Sequence, residues 1–137
     1  MKLSRVLPAL ALALIAALAL MPHSISAQSG GVYTADQAAA GGKIVAAQCA
    51  ICHGDKLQGI SGPQLVGPDF IGKWSGQTAD DLRDIIATQM PLTNPGSLKP
   101  DQVMDVLAYI LQQNKYPAGT TPLTPATAKT VKIVKQS

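Results

Sequence analysis

The sequence predicts an all-α fold with three main helices and long loops. Three segments repeat apolar residues at helical spacing, and each begins at a residue suited to the start of a helix. No segment of the body of the chain alternates apolar and polar residues as a half-buried strand would. The stretch between residues 53 and 78 is rich in glycine and proline, which predicts a long irregular connection.

The first helix is predicted over residues 34–48. Thr34 fits the N-cap, and Gln37 three residues later completes a capping box. Gly41, Val45 and Cys49 recur every four residues and therefore share one face of the helix. A glycine on that face would allow another helix to approach closely.

The second and third helices are both predicted to be amphipathic. The second covers residues 79–89 with Thr78 as its cap, and the third begins near Pro100, a residue suited to the first helical turn. Each carries an apolar stripe that would bury one face. The stripes are Leu82, Ile85 and Ile86 in the second helix, and Val103, Val106, Leu107, Ile110 and Leu111 in the third.

The motif Cys49-Ala50-Ile51-Cys52-His53 stands at the end of the first helix. In a Cys-x-x-Cys-His motif each cysteine can add to one vinyl group of haem, and the histidine can bind the iron as an axial ligand. The motif therefore predicts one covalently attached haem c. The long loop that follows is expected to wrap this cofactor, because a structureless loop of that length is otherwise unusual in a small domain.

Three other kinds of site contain a Cys-x-x-Cys pair: a thioredoxin-like redox centre, half of a zinc site and a structural disulfide. The redox centre follows a strand, whereas the residues before Cys49 have helical spacing. A zinc site needs four ligands, and here carboxylates would have to supplement Cys49, Cys52 and His53. A disulfide gives no reason for His53 to follow Cys52. Haem attachment accounts for all three residues.

Residues 1–27 are predicted to be a secretory signal peptide. Lys2 and Arg5 precede an apolar run rich in Leu and Ala, and small residues end at Ala27. The run has about 16 residues against the roughly 20 that span a bilayer, so no integral membrane span is expected after cleavage. A protein that is exported and carries a haem-attachment motif is predicted to be periplasmic.

Cleavage also changes the charge of the chain. Without Lys2 and Arg5 the formal net charge falls from +3 to +1. Three of the remaining lysines stand in the last nine residues, so the body of the chain is slightly acidic. Nucleic-acid binding therefore has no electrostatic basis.

The order of these motifs resembles the class I cytochromes c of the small bacterial monohaem type over most of residues 34–117. The resemblance implies the cytochrome c fold wrapped around one haem, with residues 28–117 as the cytochrome c domain. It also implies that the carbonyl of Pro63 accepts a hydrogen bond from Nδ1–H of His53, and that Leu65 lies on the same side of the haem. The supporting residues are Gly41, Cys49 to His53, Gly62-Pro63-Gln64-Leu65, Met90-Pro91 and Leu107-Ala108-Tyr109-Ile110.

The second axial ligand can be argued from the residues themselves. His23 lies in the predicted signal peptide, so a second histidine ligand from this chain is excluded. Met90 and Met104 are the methionines outside that peptide. Pro91 ends the helix at Met90 and presents it on an irregular segment, whereas Met104 stands inside a helix that has to pack. Met90 is therefore predicted as the ligand, with Met104, a lysine or a vacant position as alternatives.

A haem iron with two permanent protein ligands exchanges electrons and has no position for a substrate. The sequence thus predicts an electron carrier with no catalytic residues, cycling between Fe(III) and Fe(II). Its expected partners are a periplasmic dehydrogenase or quinol-oxidising complex upstream and an oxidase downstream. Two alternatives stay open: a ligand-binding or peroxidase-like protein with a displaceable sixth ligand, and a fixed electron-transfer subunit of a dehydrogenase complex. The arrangement from Met90 to Gly96 and from Tyr116 to Gly119 is similar to cytochromes that serve quinoprotein alcohol dehydrogenases.

Two further segments carry weaker signals. Trp74, with Phe70 four residues earlier, is a candidate for contact with the haem edge, its indole N–H near a propionate, or else for plain core. Residues 118–137 are rich in Thr, Pro, Ala and Lys, which predicts a flexible tail. Partly alternating Val131, Ile133 and Val134 leave open a contact with a partner.

Overall fold

Helices are the main ordered elements of the computed structural model, which describes residues 30–137; the signal peptide predicted over residues 1–27 lies outside them. The predicted all-α fold class is confirmed, and the sheet found among the described residues is one short parallel pair, β1 with β2. Along the chain the elements are β1 (Tyr33–Thr34), α1 (Ala35–Ile44), a π-helical segment (Val45–Cys49), α2 (Ala50–His53), α3 (Gly67–Trp74), α4 (Ala79–Gln89), α5 (Pro100–Gln113), β2 (Ala118–Gly119) and α6 (Pro125–Ala128).

The crossing of α1 and α5 organises the core. These two helices make the most extensive contact between elements, and they touch through backbone at Gly41. A Cβ atom on Gly41 would lie 1.9 Å from the carbonyl oxygen of Asp105. Next to it, the ring of Tyr109 lies against Gly42. The close approach predicted at Gly41 is thus confirmed, and a side chain there would force the helices apart.

The first helix continues beyond its predicted end through a wider turn. Val45–Cys49 form a π-helical segment, in which the amide of Ala50 donates to the carbonyl of Val45, and α2 then carries the chain to His53. A π turn holds one more residue than an α turn, so the side chains after it are rotated relative to those before it. The four-residue repeat in the sequence does not reveal this insertion.

The predicted bounds of α4 and the start of α5 are both confirmed. Thr78 caps α4: its hydroxyl accepts from the amide of Asp81, and the Asp81 carboxylate accepts from the amide of Thr78 at 2.7 Å. The helix ends at Gln89, and Met90 is extended. Pro100 occupies the first turn of α5, whose apolar stripe is buried.

Helix α3 lies inside the stretch where the sequence predicted an irregular loop. Pro68 stands in its first turn, and Phe70 and Trp74, four residues apart, are both buried. The helix is only eight residues long and contains Gly67 and Gly72, which weaken a helical pattern. The spacing of its two aromatic residues was the signal available in the sequence.

Residues 118–137, called here the C-terminal strap, are ordered and packed, in contrast to the flexible tail expected from their composition. Leu123, Ala128 and Ile133 are each at most 2% exposed. β2 pairs in parallel with β1, and further along Ile133 exchanges backbone hydrogen bonds with Gly76 and Gln77. The strap therefore covers the start of α1 and the start of α4.

Specific side chains hold the strap in place. The Gln37 side chain binds Leu123 as a peptide group would, donating to its carbonyl at 2.9 Å and accepting from its amide at 2.7 Å. The Tyr116 hydroxyl donates to the carbonyl of Lys132 and accepts from the amide of Val134, both at 2.8 Å. Pro125 starts α6 with Thr124 as its cap. Composition alone misses these contacts because their partners are distant in the chain.

Within residues 30–137, no helix is both long and apolar enough to cross a membrane.

Candidate functional site

A cavity of about 340 Å³ opens beside the Cys49–His53 motif. This volume lies within the range of small-molecule and cofactor sites, roughly 300–1,000 Å³. None of the described residues that line it is an Asp, Glu, Lys or Arg, and most are apolar. The lining residues are Val45, Gln48, Cys49, Ile51, Cys52, His53, Ser61, Gly62, Pro63, Leu65, Ile86, Met90, Pro91, Leu92, Thr93, Leu98, Val106 and Ile110.

The motif forms one wall of this cavity. The π-helical segment carries Cys49, and α2 carries Cys52 and His53. Both cysteines are free and half-buried. Burial raises the pKa of the Cys49 thiol, whereas a redox-active cysteine of the thioredoxin kind has a lowered pKa. The environment of Cys49 therefore differs from that of a thioredoxin-like redox centre.

His53 is held in one tautomer by the backbone. Its ring is 8% exposed, and Nδ1 lies 2.8 Å from the carbonyl oxygen of Pro63. A carbonyl can only accept, so Nδ1 carries the proton and the lone pair of Nε2 is free to bind a metal. Gly62 lies against the ring, and a Cβ atom there would come within 3.0 Å of Cε1.

The loop after the motif folds back onto it through backbone hydrogen bonds. Gly54, with φ of 84°, ends α2 and turns the chain. The amides of Ile60 and Gly62 both donate to the carbonyl of Cys52, at 3.0 and 2.9 Å, and the amide of Gly59 donates to that of His53 at 2.7 Å. Glycines thus let the loop approach the motif closely enough to place Pro63 beside the imidazole.

The far end of the same loop is anchored by a residue that the sequence did not single out. Asn114, directly after α5, is buried and donates from its side-chain amide to the carbonyls of Leu65 and Ile110. Its side-chain oxygen accepts from the amide of Gly67. An asparagine after an apolar helical stripe is an ordinary helix-ending signal, so sequence alone gives no sign of this contact.

Met90 and Met104 have different surroundings. Met90 follows α4 in an extended conformation, is half-buried and lines the cavity. Met104 is 6% exposed within α5 and is absent from the described lining. The structure therefore brings Met90 into the same cavity as Cys49, Cys52 and His53.

Trp74 is absent from the described lining of the cavity, and its contact with the haem edge stays a prediction. It is buried on α3, with its ring centroid 6.4 Å from that of Phe70 and the Lys73 ammonium 5.8 Å from its ring. The sequence did not predict this helix, in which the spacing of four residues points the rings of Phe70 and Trp74 into the core. Trp74 is therefore a core residue.

The donor set in the cavity fits haem c. The two thiols of a Cys-x-x-Cys-His motif, an imidazole whose Nδ1 is hydrogen-bonded to a carbonyl and a thioether sulfur share an apolar enclosure. No group of three or more His, Cys, Asp or Glu side chains in residues 30–137 is arranged to hold a bare metal ion.

Comparison with known proteins agrees with this fit. The fold resembles a chain in the crystal structure of the sulfane dehydrogenase SoxCD from Paracoccus pantotrophus, with a TM-score of 0.56 and 20% sequence identity. The similarity covers 82% of this chain but only 64% of that chain, and at this identity it shows the fold alone.

No curated protein matches the sequence significantly. Residues 36–110, more than half of the chain, match the family described as cytochrome c oxidase, cbb3-type, subunit III. The chain therefore belongs to this family of cytochrome c domains, which carry covalently bound haem c and transfer electrons through it.

Proposed function

We propose that the chain is a small periplasmic class I cytochrome c with one haem, ligated by His53 and Met90, and that it carries single electrons. The observation that carries the proposal is the shared cavity: the attachment motif and Met90 come from separate segments yet line one apolar enclosure. The signal peptide predicted over residues 1–27 supports export to the periplasm.

Each residue of the site has a defined task. Cys49 and Cys52 hold the cofactor through thioether bonds, so it cannot dissociate. The Pro63 carbonyl fixes the orientation of the His53 ring, with Nε2 directed away from the hydrogen bond. The same hydrogen bond makes Nε2 a stronger electron donor to the iron. Haem c, when bound, supplies an iron that cycles between Fe(III) and Fe(II). The Met90 sulfur favours Fe(II) and so raises the reduction potential.

The surrounding walls keep the site dry. Ile86, Val106 and Ile110 contribute buried apolar side chains, and the described lining contains no Asp, Glu, Lys or Arg. A low dielectric around the iron disfavours the extra charge of Fe(III), in the same direction as Met90. If His53 and Met90 both bind the iron, no coordination position would be left for a substrate, as the role of a carrier requires.

The proposed partners are a dehydrogenase or quinol-oxidising complex that donates the electron and an oxidase that accepts it. The family name refers to an oxidase subunit, and the similar fold occurs in a sulfane dehydrogenase. Both kinds of complex pass electrons between proteins, which supports a role between two redox partners. A fixed subunit and a diffusing carrier would be distinguished by co-purification from the native host.

The test is visible and near-infrared spectroscopy of the purified haem-loaded protein in both oxidation states. We expect the signature of methionine ligation in the wild type and in Met104→Leu, and its loss in Met90→Ala. Carbon monoxide should bind the reduced wild type slowly and weakly and the reduced Met90→Ala variant rapidly. Rapid binding to the wild type would support the ligand-binding or peroxidase-like alternative. Loss of the signature in Met104→Leu alone would make Met104 the ligand.

A further inference from the structure

The side chain of Asn114 connects the end of α5 to the loop beside His53. It is 7% exposed, and its hydrogen-bonding groups are used within the protein. Its amide nitrogen donates to the carbonyls of Leu65 and Ile110, both at 2.9 Å, and its oxygen accepts from the amide of Gly67 at 3.1 Å. It thus pairs with the backbone on both sides of Val66, as a neighbouring strand would.

This pairing fixes a segment that has few other anchors. The amide of Leu65 donates to the carbonyl of Leu57 at 2.9 Å, and Asn114 holds the carbonyl of the same residue. Leu65 is therefore held from both sides, by the loop and by α5. Pro63, whose carbonyl accepts from His53, is two residues away and can move only as far as Leu65 allows.

We infer that Asn114 is a positioning residue for the haem site: by pinning Leu65 and Gly67 it keeps the Pro63 carbonyl within hydrogen-bond distance of His53. The inference rests on the proposed function, in which His53 is an iron ligand. Asn114 lies four residues after the part of the chain that the family model matches, residues 36–110.

The expected effect has a definite sign. A hydrogen bond from Nδ1–H to a carbonyl makes the imidazole a stronger electron donor and stabilises Fe(III). Without the Asn114 anchor the Pro63 carbonyl can move away from His53, which weakens the hydrogen bond from Nδ1–H. The equilibrium between Fe(III) and Fe(II) then shifts toward Fe(II). Replacement by leucine keeps a similar volume but removes both donors and the acceptor.

The experiment compares haem-loaded Asn114→Leu, Asn114→Ala and Ile133→Ala with the wild type. Ile133 is fully buried in the strap, away from the cavity lining, so its variant reproduces a loss of stability without touching the loop. We expect both Asn114 variants to raise the Fe(II)/Fe(III) ratio at a fixed ambient potential by about threefold, a fraction of the net strength of one hydrogen bond. We expect Ile133→Ala to leave the ratio unchanged.

Hydrogen exchange gives a second readout that a merely structural role would not change. The Nδ1–H of His53 should exchange at least about threefold faster in the Asn114 variants than in Ile133→Ala, because its acceptor is no longer held. In the wild type, the Gly67 amide should be protected by Asn114; an unprotected amide there would overturn the inference even if neither variant folds.

The outcomes separate this inference from the proposed function. If the wild type shows no methionine and histidine ligation, the proposed function fails first. If that ligation is present and the Asn114 variants match Ile133→Ala both in the Fe(II)/Fe(III) ratio and in the exchange rate of the His53 Nδ1–H, the positioning role is refuted. Asn114 then contributes only stability.

Discussion

Replacement of Gly41 by alanine should separate the two helices that organise the core. The added Cβ would lie 1.9 Å from the carbonyl oxygen and 2.4 Å from the carbonyl carbon of Asp105, where ordinary contacts are 3.4–4 Å. Both obstructing atoms belong to the backbone of α5, so no rotation of a side chain can relieve the contact. The helices would have to move apart by about 1.5 Å at this point.

The expected loss can be estimated from two opposing terms. Forcing extra volume into a packed interface costs about 1–3 kcal/mol, and a backbone obstruction belongs at the upper end of that range. Alanine gains about 1 kcal/mol over glycine inside a helix. The free energy of unfolding should therefore fall by about 2 kcal/mol.

Guanidinium unfolding of the haem-loaded protein, followed by far-ultraviolet circular dichroism, measures this change. Gly72→Ala is the matched control, because Gly72 also lies in a helix and nothing is within 4 Å of its added Cβ. That variant should be as stable as the wild type or more stable by up to about 1 kcal/mol. If Gly41→Ala is as stable as Gly72→Ala, the helices are not in backbone contact and the reasoning is wrong.

Two further predictions concern the strap and its contact with α4. Ile133→Ala should lower the free energy of unfolding by about 2–3 kcal/mol, because a fully buried side chain is truncated. Val134 is 43% exposed, so Val134→Ala should change the free energy of unfolding by less than about 1 kcal/mol. Equal unfolding midpoints for the two variants would mean that the strap is not packed. Hydrogen bonds from the Thr78 backbone and side chain lower the pKa of Asp81 below its usual 3.8, with Lys132 adding to the effect. A lowered pKa in the folded state means that the carboxylate stabilises the fold above pH 3.8 and that this stability is lost as the pH falls through the folded-state pKa. The difference in unfolding midpoint between the wild type and Asp81→Asn should therefore shrink toward low pH, and a constant difference would contradict the assignment.

The sequence predicted the parts of the molecule whose causes are local. The residues that form a helix cap or an apolar stripe lie within a few positions of one another in the sequence. Helix α4, the start of α5 and the glycine at the α1–α5 crossing could therefore be predicted. The attachment motif is contiguous, which is why its chemistry could be inferred before the fold was known. Met90 also followed from local context, since Pro91 ends the helix, but its role as a ligand stays a prediction.

The features that the sequence did not reveal depend on contacts distant along the chain. The strap is held in part by the Gln37 side chain, which stands more than 80 residues before the Leu123 backbone that it binds. Asn114 reaches a loop nearly 50 residues away. Helix α3 was too short and too rich in glycine to recognise. In each case the segment's own composition favoured disorder or irregularity, and tertiary packing overrode it.

The strap also has a consequence for the order of events during biosynthesis. Residues 118–137 are made after all the residues that they cover, including β1, the start of α1 and the cap of α4. The final packing therefore cannot form until the whole segment has emerged. Until then the cysteines of the motif belong to a chain whose packing is incomplete.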